Sequence, residues 1–122
     1  MPAQNHAINE TLLKSSEIHI SVTGRKSGRT ISVPIWFVFD KDLYLLPVHG
    51  SDTQWYKNVL KNPSIRVKAG STEADFKAVP ITDAKQVSAV VETFRGKYGA
   101  SEVKKYYSKF DVAVLAKMDV SA

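Results

Sequence analysis

Residues 23 to 37, TGRKSGRTISVPIWF, gather Arg25, Lys26, Ser27 and Arg29 around one glycine-bracketed turn and follow them with an apolar strand. A guanidinium offers a planar fork of donors, an ammonium a point charge and a hydroxyl a further donor, while glycine lets the backbone approach a ligand closely. No carboxylate falls between Ile18 and Phe39 to neutralise these cations. The chemistry such a pattern serves is recognition of an anion, with backbone N-H groups of the turn converging on it. The same residues also make an ordinary solvated hairpin tip, because Gly, Ser, Lys and Arg are frequent turn residues. The order G-R-K-S-G is neither a Walker loop nor a nucleophile elbow, which require G-x-x-x-x-G-K and G-x-S-x-G.

Trp36 and Trp55 are the second element, since each can lie against a planar ring or simply fill core. Three histidines, His6, His19 and His49, stand at no metal-ligand spacing from one another, so no metal site is assigned. His49, followed by Gly50 and a helix start, has access to an anionic group or a reacting oxygen. The twelve acids are scattered singly and no cysteine is present, which removes paired-carboxylate chemistry, thiolate nucleophiles, disulfides and Cys-built metal sites. Cation-binding and aromatic-binding elements remain, without a self-sufficient acid, base or nucleophile, and no catalytic residue is assigned. That combination fits an enzyme whose cofactor carries the chemistry.

The elements that must position these residues follow from periodicity. Glu17 to Thr23 alternates with Ile18, Ile20 and Val22 on one face. Gly24 to Gly28 turns, and Thr30 to Phe39 forms a second strand whose inward set is Ile31, Val33, Ile35, Phe37 and Phe39. Its outward set carries Trp36 and Pro34, so that face is expected to be covered by a ligand or a second subunit. After the turn at 40 to 42, Leu43 to Val48 completes an antiparallel meander. A short helix is expected over 7 to 14. Another follows His49-Gly50, capped by Ser51 or Asp52 and stopped at Asn62-Pro63, with Trp55 paired to Val59 and Tyr56 to Leu60. Two strands, Ile65 to Ala69 and Ala74 to Ile81, flank a Gly-Ser-Thr turn. Asp83 caps an amphipathic helix that ends at Gly99, Ser101 starts a short helix with Val103, Tyr106, Tyr107 and Phe110 on one face, and Asp111 to Met118 is the closing strand. About six strands with two or three helices, mostly meandering, describe a mainly β or α+β barrel rather than an alternating α/β fold.

Length and charge set the outer bounds. At 122 residues the chain reads as one domain, 1 to 122, too short for a complete dinucleotide fold. Hydrophobic residues at 43% and charged ones at 24% are ordinary for a globular protein, and a net charge of +5 favours anionic ligands. With no signal-peptide pattern and no membrane-length apolar run, a cytoplasmic location is expected.

TGRKSG, then VPIWF, then QWYKN with its trailing NP before a strand, strongly resembles the FMN-binding split β-barrel superfamily of pyridoxamine-phosphate-oxidase-like proteins, above all the deazaflavin-dependent nitroreductase branch. The resemblance is closest from Ile18 to Val67 and implies a six-stranded antiparallel split β-barrel, usually a homodimer, with FMN or an F-420-type deazaflavin near the subunit boundary. It implies that Arg25, Lys26 and Ser27 hold phosphate, with Gly28 allowing close approach. Val33, Pro34, Ile35 and Trp36 would then lie along the tricyclic ring, and Val48, His49, Gly50, Trp55 and Asn58 would close its other side. The activity implied is hydride transfer to a small nitro, quinone or enone acceptor. Relatives of that branch carry a longer glycine-rich insert where this chain has the compact HGSDTQW, which leaves substrate and coenzyme open. Two other readings stand beside it. One is a small basic barrel that binds single-stranded nucleic acid through Arg25, Lys26 and Arg29 with Trp36 stacking a base; the other is a non-catalytic coenzyme-binding protein.

Overall fold

A computed structural model describes residues 10–15, 17–40 and 42–118. The strands are β1 (Ile18–Thr23), β2 (Thr30–Ile35), β3 (Phe37–Asp40), β4 (Asp42–Leu45), β5 (Ser64–Ala69), β6 (Thr72–Ile81) and β7 (Ala113–Met118). Helices α1 (Gln54–Lys61), α2 (Ala84–Tyr98) and α3 (Ala100–Tyr106) flank them, with a 3-10 turn over Gly50–Asp52. Residues 10 to 14 are helical, and the rest of the helix expected over 7 to 14 lies outside the described residues. No described helix is long and apolar enough to cross a membrane.

Alternation builds the strands as the sequence predicts. β1 buries Ile18, Ile20 and Val22, β5 buries Ile65, Val67 and Ala69, and β6 buries Ala74, Phe76 and Ala78, with Ile81, out of step, on the other face. All neighbours in the sheet are antiparallel, in the order β2-β1-β5-β6-β7-β4-β3. The two end strands, β2 and β3, are consecutive in the chain and separated by Trp36 alone, so the sheet curls until its ends meet there.

This accounts for seven strands where six are expected. The segment Thr30 to Phe39 is not one strand, because Trp36 leaves the ladder and sends its two halves to opposite ends of the sheet. The simple meander is corrected too: β1 lies between β2 and β5, and β4 between β3 and β7. The third strand stops at Leu45 rather than Val48, two residues before Pro47, which has no amide donor for a ladder.

One core fills the inside of the curl, where Ile18, Ile20, Phe37, Leu43, Leu45, Val67 and Val114 meet Trp55, Tyr56 and Val59 of α1. A second lies between the outer face of the sheet and α2 and α3, built from Val38, Leu46, Ile81, Val87, Val90, Val91, Phe94, Val103 and Tyr107. The expected inward set of Thr30 to Phe39 holds fully only at Phe37. Val33, Ile35 and Phe39 are half-buried, Ile31 is 41% exposed, and Val38 on the other face is buried in the second core.

Asp83 caps α2 as predicted, its Oδ2 accepting from the Gln86 amide at 3.1 Å. Neither Ser51 nor Asp52 caps α1. They sit in the 3-10 turn, and Thr53 is the cap residue, its hydroxyl turned back to accept from the His49 amide at 2.8 Å. Leu60 and Tyr106, placed on buried faces by their spacing, are 55% and 51% exposed.

Candidate functional site

The GRKSG turn joins β1 to β2. Gly28 has φ of 71°, a left-handed conformation that side chains with a Cβ rarely adopt, which is why glycine closes the turn. The turn satisfies much of its own backbone. Gly28 N donates to Gly24 O at 2.9 Å, Gly24 N to Arg29 O at 2.8 Å, and Arg29 N to Ser27 Oγ at 3.2 Å. These amides point inward, so a bound anion would be met by side chains rather than by a ring of converging N-H groups.

Arg25 is fixed by α1, 33 residues away. Its backbone N and Nη1 both donate to Asn58 Oδ1, at 3.1 and 2.8 Å, and Nη2 donates to Gln54 Oε1 at 2.8 Å. Gln54 and Asn58 are four apart and share a helix face, and Asn58 is only 5% exposed. Both acceptors are neutral amides. They orient the guanidinium without cancelling its charge, and no described carboxylate pairs with it. Beside it Lys26 is exposed and no described residue partners its ammonium.

β2 runs from this turn along the edge of the sheet. Thr30 pairs with Thr23 beside the turn and Ile35 with Ile18 at the far end, five residues on, or about 17 Å at strand rise. At that far end Pro34, Ile35, Trp36 and Val48 line one pocket of about 370 Å³, together with Glu17, Leu46, Tyr106 and Tyr107. Trp36 stacks on Tyr98 with ring centroids 4.2 Å apart and planes within 7°, while Tyr106 meets Trp36 at 79° and 5.5 Å. The chain's own α2 therefore covers part of the outward face at Trp36 that the sequence leaves to a ligand or a second subunit.

Tyr98 also holds the corner. Its hydroxyl accepts from Phe37 N at 3.0 Å and donates to Phe37 O at 2.9 Å, and Lys97 Nζ donates to the same carbonyl at 3.0 Å. Burial pushes the Tyr98 hydroxyl up to about 12, the Phe37 hydrogen bond pulling the other way and the charge of Glu17 adding to the rise. Tyr107 is raised by burial as well, with Tyr98 contributing, and burial lowers Lys97.

The remaining predicted residues fall elsewhere. Val33 packs against the inner core and Trp55, 7% exposed, is part of it. His49 is exposed, its Nδ1 sharing a 2.8 Å hydrogen bond with Ser108 Oγ. Gly50, with φ of 56°, lies against Asp111. The Asp111 carboxylate accepts from Ser51 N at 2.9 Å and Ser51 Oγ at 2.6 Å, which holds its pKa below the ordinary carboxylate value. The structure thus brings Arg25 to Asn58 at one end of β2 and Pro34, Ile35, Trp36 and Val48 together at the other. Gln54 and Tyr98 carry no role in the sequence reading. The four-residue spacing of Gln54 and Asn58 is the signal that pairs them, but nothing local says that Arg25 is their partner.

A curled antiparallel sheet whose end strands meet at one corner, with helices over its outer face, is a split-barrel fold. Within that fold class the chain belongs to the family described as uncharacterized proteins conserved in bacteria (DUF2255), which matches residues 10–115. A comparison with curated proteins finds no match. Among solved structures, an F420-H2 dependent reductase, FDR-A, is similar over 84% of this chain and 94% of its own at 20% identity, with a TM-score of 0.65. The heme storage protein HutZ from Vibrio cholerae is similar over 97% and 92% at 13% identity and a TM-score of 0.71. A putative pyridoxamine 5'-phosphate oxidase from Listeria innocua is similar over 96% and 94% at 12% identity and a TM-score of 0.70. These likenesses establish the fold, and their names span more than one cofactor.

Proposed function

We propose that the protein is an oxidoreductase that binds a flavin or deazaflavin coenzyme lengthwise along β2 and reduces a small oxidised acceptor. The observation that carries this reading is the clamp on Arg25. A cation held by two neutral amides, one of them buried, is pre-organised for an anion and cannot collapse onto a neighbouring carboxylate. Lys26 adds a second positive charge at the same end. About 17 Å away, the wall at Pro34, Ile35 and Trp36 offers the apolar surface that a tricyclic ring needs. The spacing suits a ring carrying a ribityl phosphate tail, and the donor set suits the phosphate. When bound, such a coenzyme supplies the hydride; the chain binds, orients and shields it. We infer further that the working form is a homodimer, in which a second copy lies over the exposed edge of β2.

The nucleic-acid reading calls for exposed aromatics beside the cations. Trp36 is instead stacked against Tyr98, at the opposite end of β2 from the turn. The test is titration of purified protein with FMN, with deazaflavin coenzyme and, for contrast, with hemin, read by tryptophan quenching and absorbance. Saturable binding of FMN or deazaflavin is expected, weakened about tenfold or more in Arg25→Ala, as suits loss of a charged hydrogen-bond donor. Saturation by hemin alone, or by none of the three, removes the reading.

A further inference from the structure

The pocket at the Trp36 corner has a lining that says what kind of molecule it takes. Three of its walls are aromatic rings set at steep angles, Tyr106 at 79° to Trp36 and Tyr107 at 45°. The faces of such rings carry negative electrostatic potential and attract cations. One neighbouring ammonium already uses such a ring: Lys105 Nζ stands 5.3 Å from the Tyr106 centroid. Lys105 itself does not line the pocket. Among the described residues Glu17 is the one carboxylate that does, and its charge is felt by Tyr98, the ring stacked on Trp36. Tyr107 is a hydroxyl that burial keeps protonated, and the rest of the wall is Pro34, Ile35, Leu46 and Val48. Among the described residues the lining thus contains no cation.

We propose that the side of this pocket formed by Glu17, Tyr106 and Tyr107 binds a planar organic cation, facing the coenzyme ring that would lie on Pro34, Ile35 and Trp36, and that such cations are the acceptor class of the enzyme. The first half stands on the pocket alone; the second rests on the oxidoreductase reading above. The two halves fit chemically. Hydride transfer to the carbon of a cationic C=N group consumes the positive charge and yields a neutral amine, with the hydrogen and both electrons coming from the reduced coenzyme. No acid of the protein has to protonate the product. A neutral nitro or carbonyl acceptor would instead need a proton as well as the hydride.

The test uses the coenzyme-free protein and two probes of one shape, N-methylquinolinium and 1-methylnaphthalene, with tryptophan fluorescence as the readout. The cation is expected to bind about tenfold tighter than its neutral isostere, the size of a partly desolvated cation-aromatic contact. Glu17→Gln should remove most of that preference and leave the neutral probe unchanged. Tyr106→Leu, at a half-exposed position where folding is not at stake, should weaken the cation more than the neutral probe. Equal binding of the two probes, or a preference that survives Glu17→Gln, overturns the proposal. Coenzyme titration of the same samples separates the two claims. Cation preference without coenzyme binding sinks the enzyme reading and leaves the site, whereas coenzyme binding without cation preference does the reverse.

Discussion

At the scale of single residues, the site depends on how Arg25 is held. Asn58 is buried and accepts from Arg25 twice, so truncating it strands donors at the edge of the inner core. Asn58→Ala is expected to cost about 1 to 3 kcal/mol of stability, read from the urea midpoint. Asn58→Asp separates structure from binding. A carboxylate there still accepts from Arg25, and so keeps the clamp, but it cancels the guanidinium charge. The variant should fold about as well as the parent and lose most of its affinity for phosphate-bearing coenzyme; undiminished affinity would mean that Arg25 is not the anion ligand. Gly50 supports a different junction. Its φ of 56° and the nearness of Asp111 leave no room for a Cβ, so Gly50→Ala is expected to cost about 1 to 3 kcal/mol, measured by thermal melting. The sequence shows the residue types of the Arg25 site plainly, because cations in a carboxylate-free hairpin need no partner to be noticed. It does not show the clamp, since a contact across 33 residues leaves no periodic trace.

At the scale of elements, the break at Trp36 decides the fold. Alternation over Thr30 to Phe39 is continuous in the sequence, and local pattern alone gives one strand. What divides it is distant: Tyr98, at the end of α2, takes both the amide and the carbonyl of Phe37, and its ring stacks on Trp36. The strands with one covered face, β1, β5 and the first part of β6, were legible because their burial follows period two. β3 was not, because α2 and α3 bury its second face as well, at Val38. The 3.6-residue spacing of α2 predicts its buried stripe, whereas in α1 and α3 the spacing defines a face but not where its cover ends, hence the exposed Leu60 and Tyr106. Tyr98→Phe leaves the buried Phe37 amide without its acceptor and is expected to destabilise by about 1 to 3 kcal/mol. A pH dependence follows with a definite sign. Folding raises the Tyr98 pKa from 10.0 to about 12, so the folded state holds its proton more tightly than the unfolded one. The resulting stability is complete below pH 10 and is lost as pH climbs through about 12. Tyr107 is raised in the same direction, whereas Lys97, lowered by burial, loses its proton earlier in the folded state and so acts with the opposite sign, adding stability as pH rises toward 10.5. Unfolding free energy measured by urea from pH 8 to 12 should fall at the alkaline end, less steeply in Tyr98→Phe; identical slopes would refute the assignment.

At the scale of the whole molecule, the curl leaves β2 bonded to β1 on one side, and among the described strands nothing pairs with its other edge. Exposed strand edges tend to be covered or to attract a partner chain, and here the edge carries Ile31, 41% exposed. A second copy over this edge would also roof the path between Arg25 and Trp36. Opposing it is the net charge of +5 on each copy, which the phosphate of a coenzyme would reduce at the basic turn. Dimerisation and coenzyme binding are therefore expected to reinforce one another. Sedimentation velocity should give a dimer mass, with the dimer favoured by added coenzyme and by salt that screens the repulsion. Ile31→Lys places another charge on the edge and should shift the population to monomer. If coenzyme affinity falls with it, each copy completes its neighbour's site; if the monomeric variant binds coenzyme undiminished, the groove along β2 is sufficient within one chain and the proposed coupling is wrong.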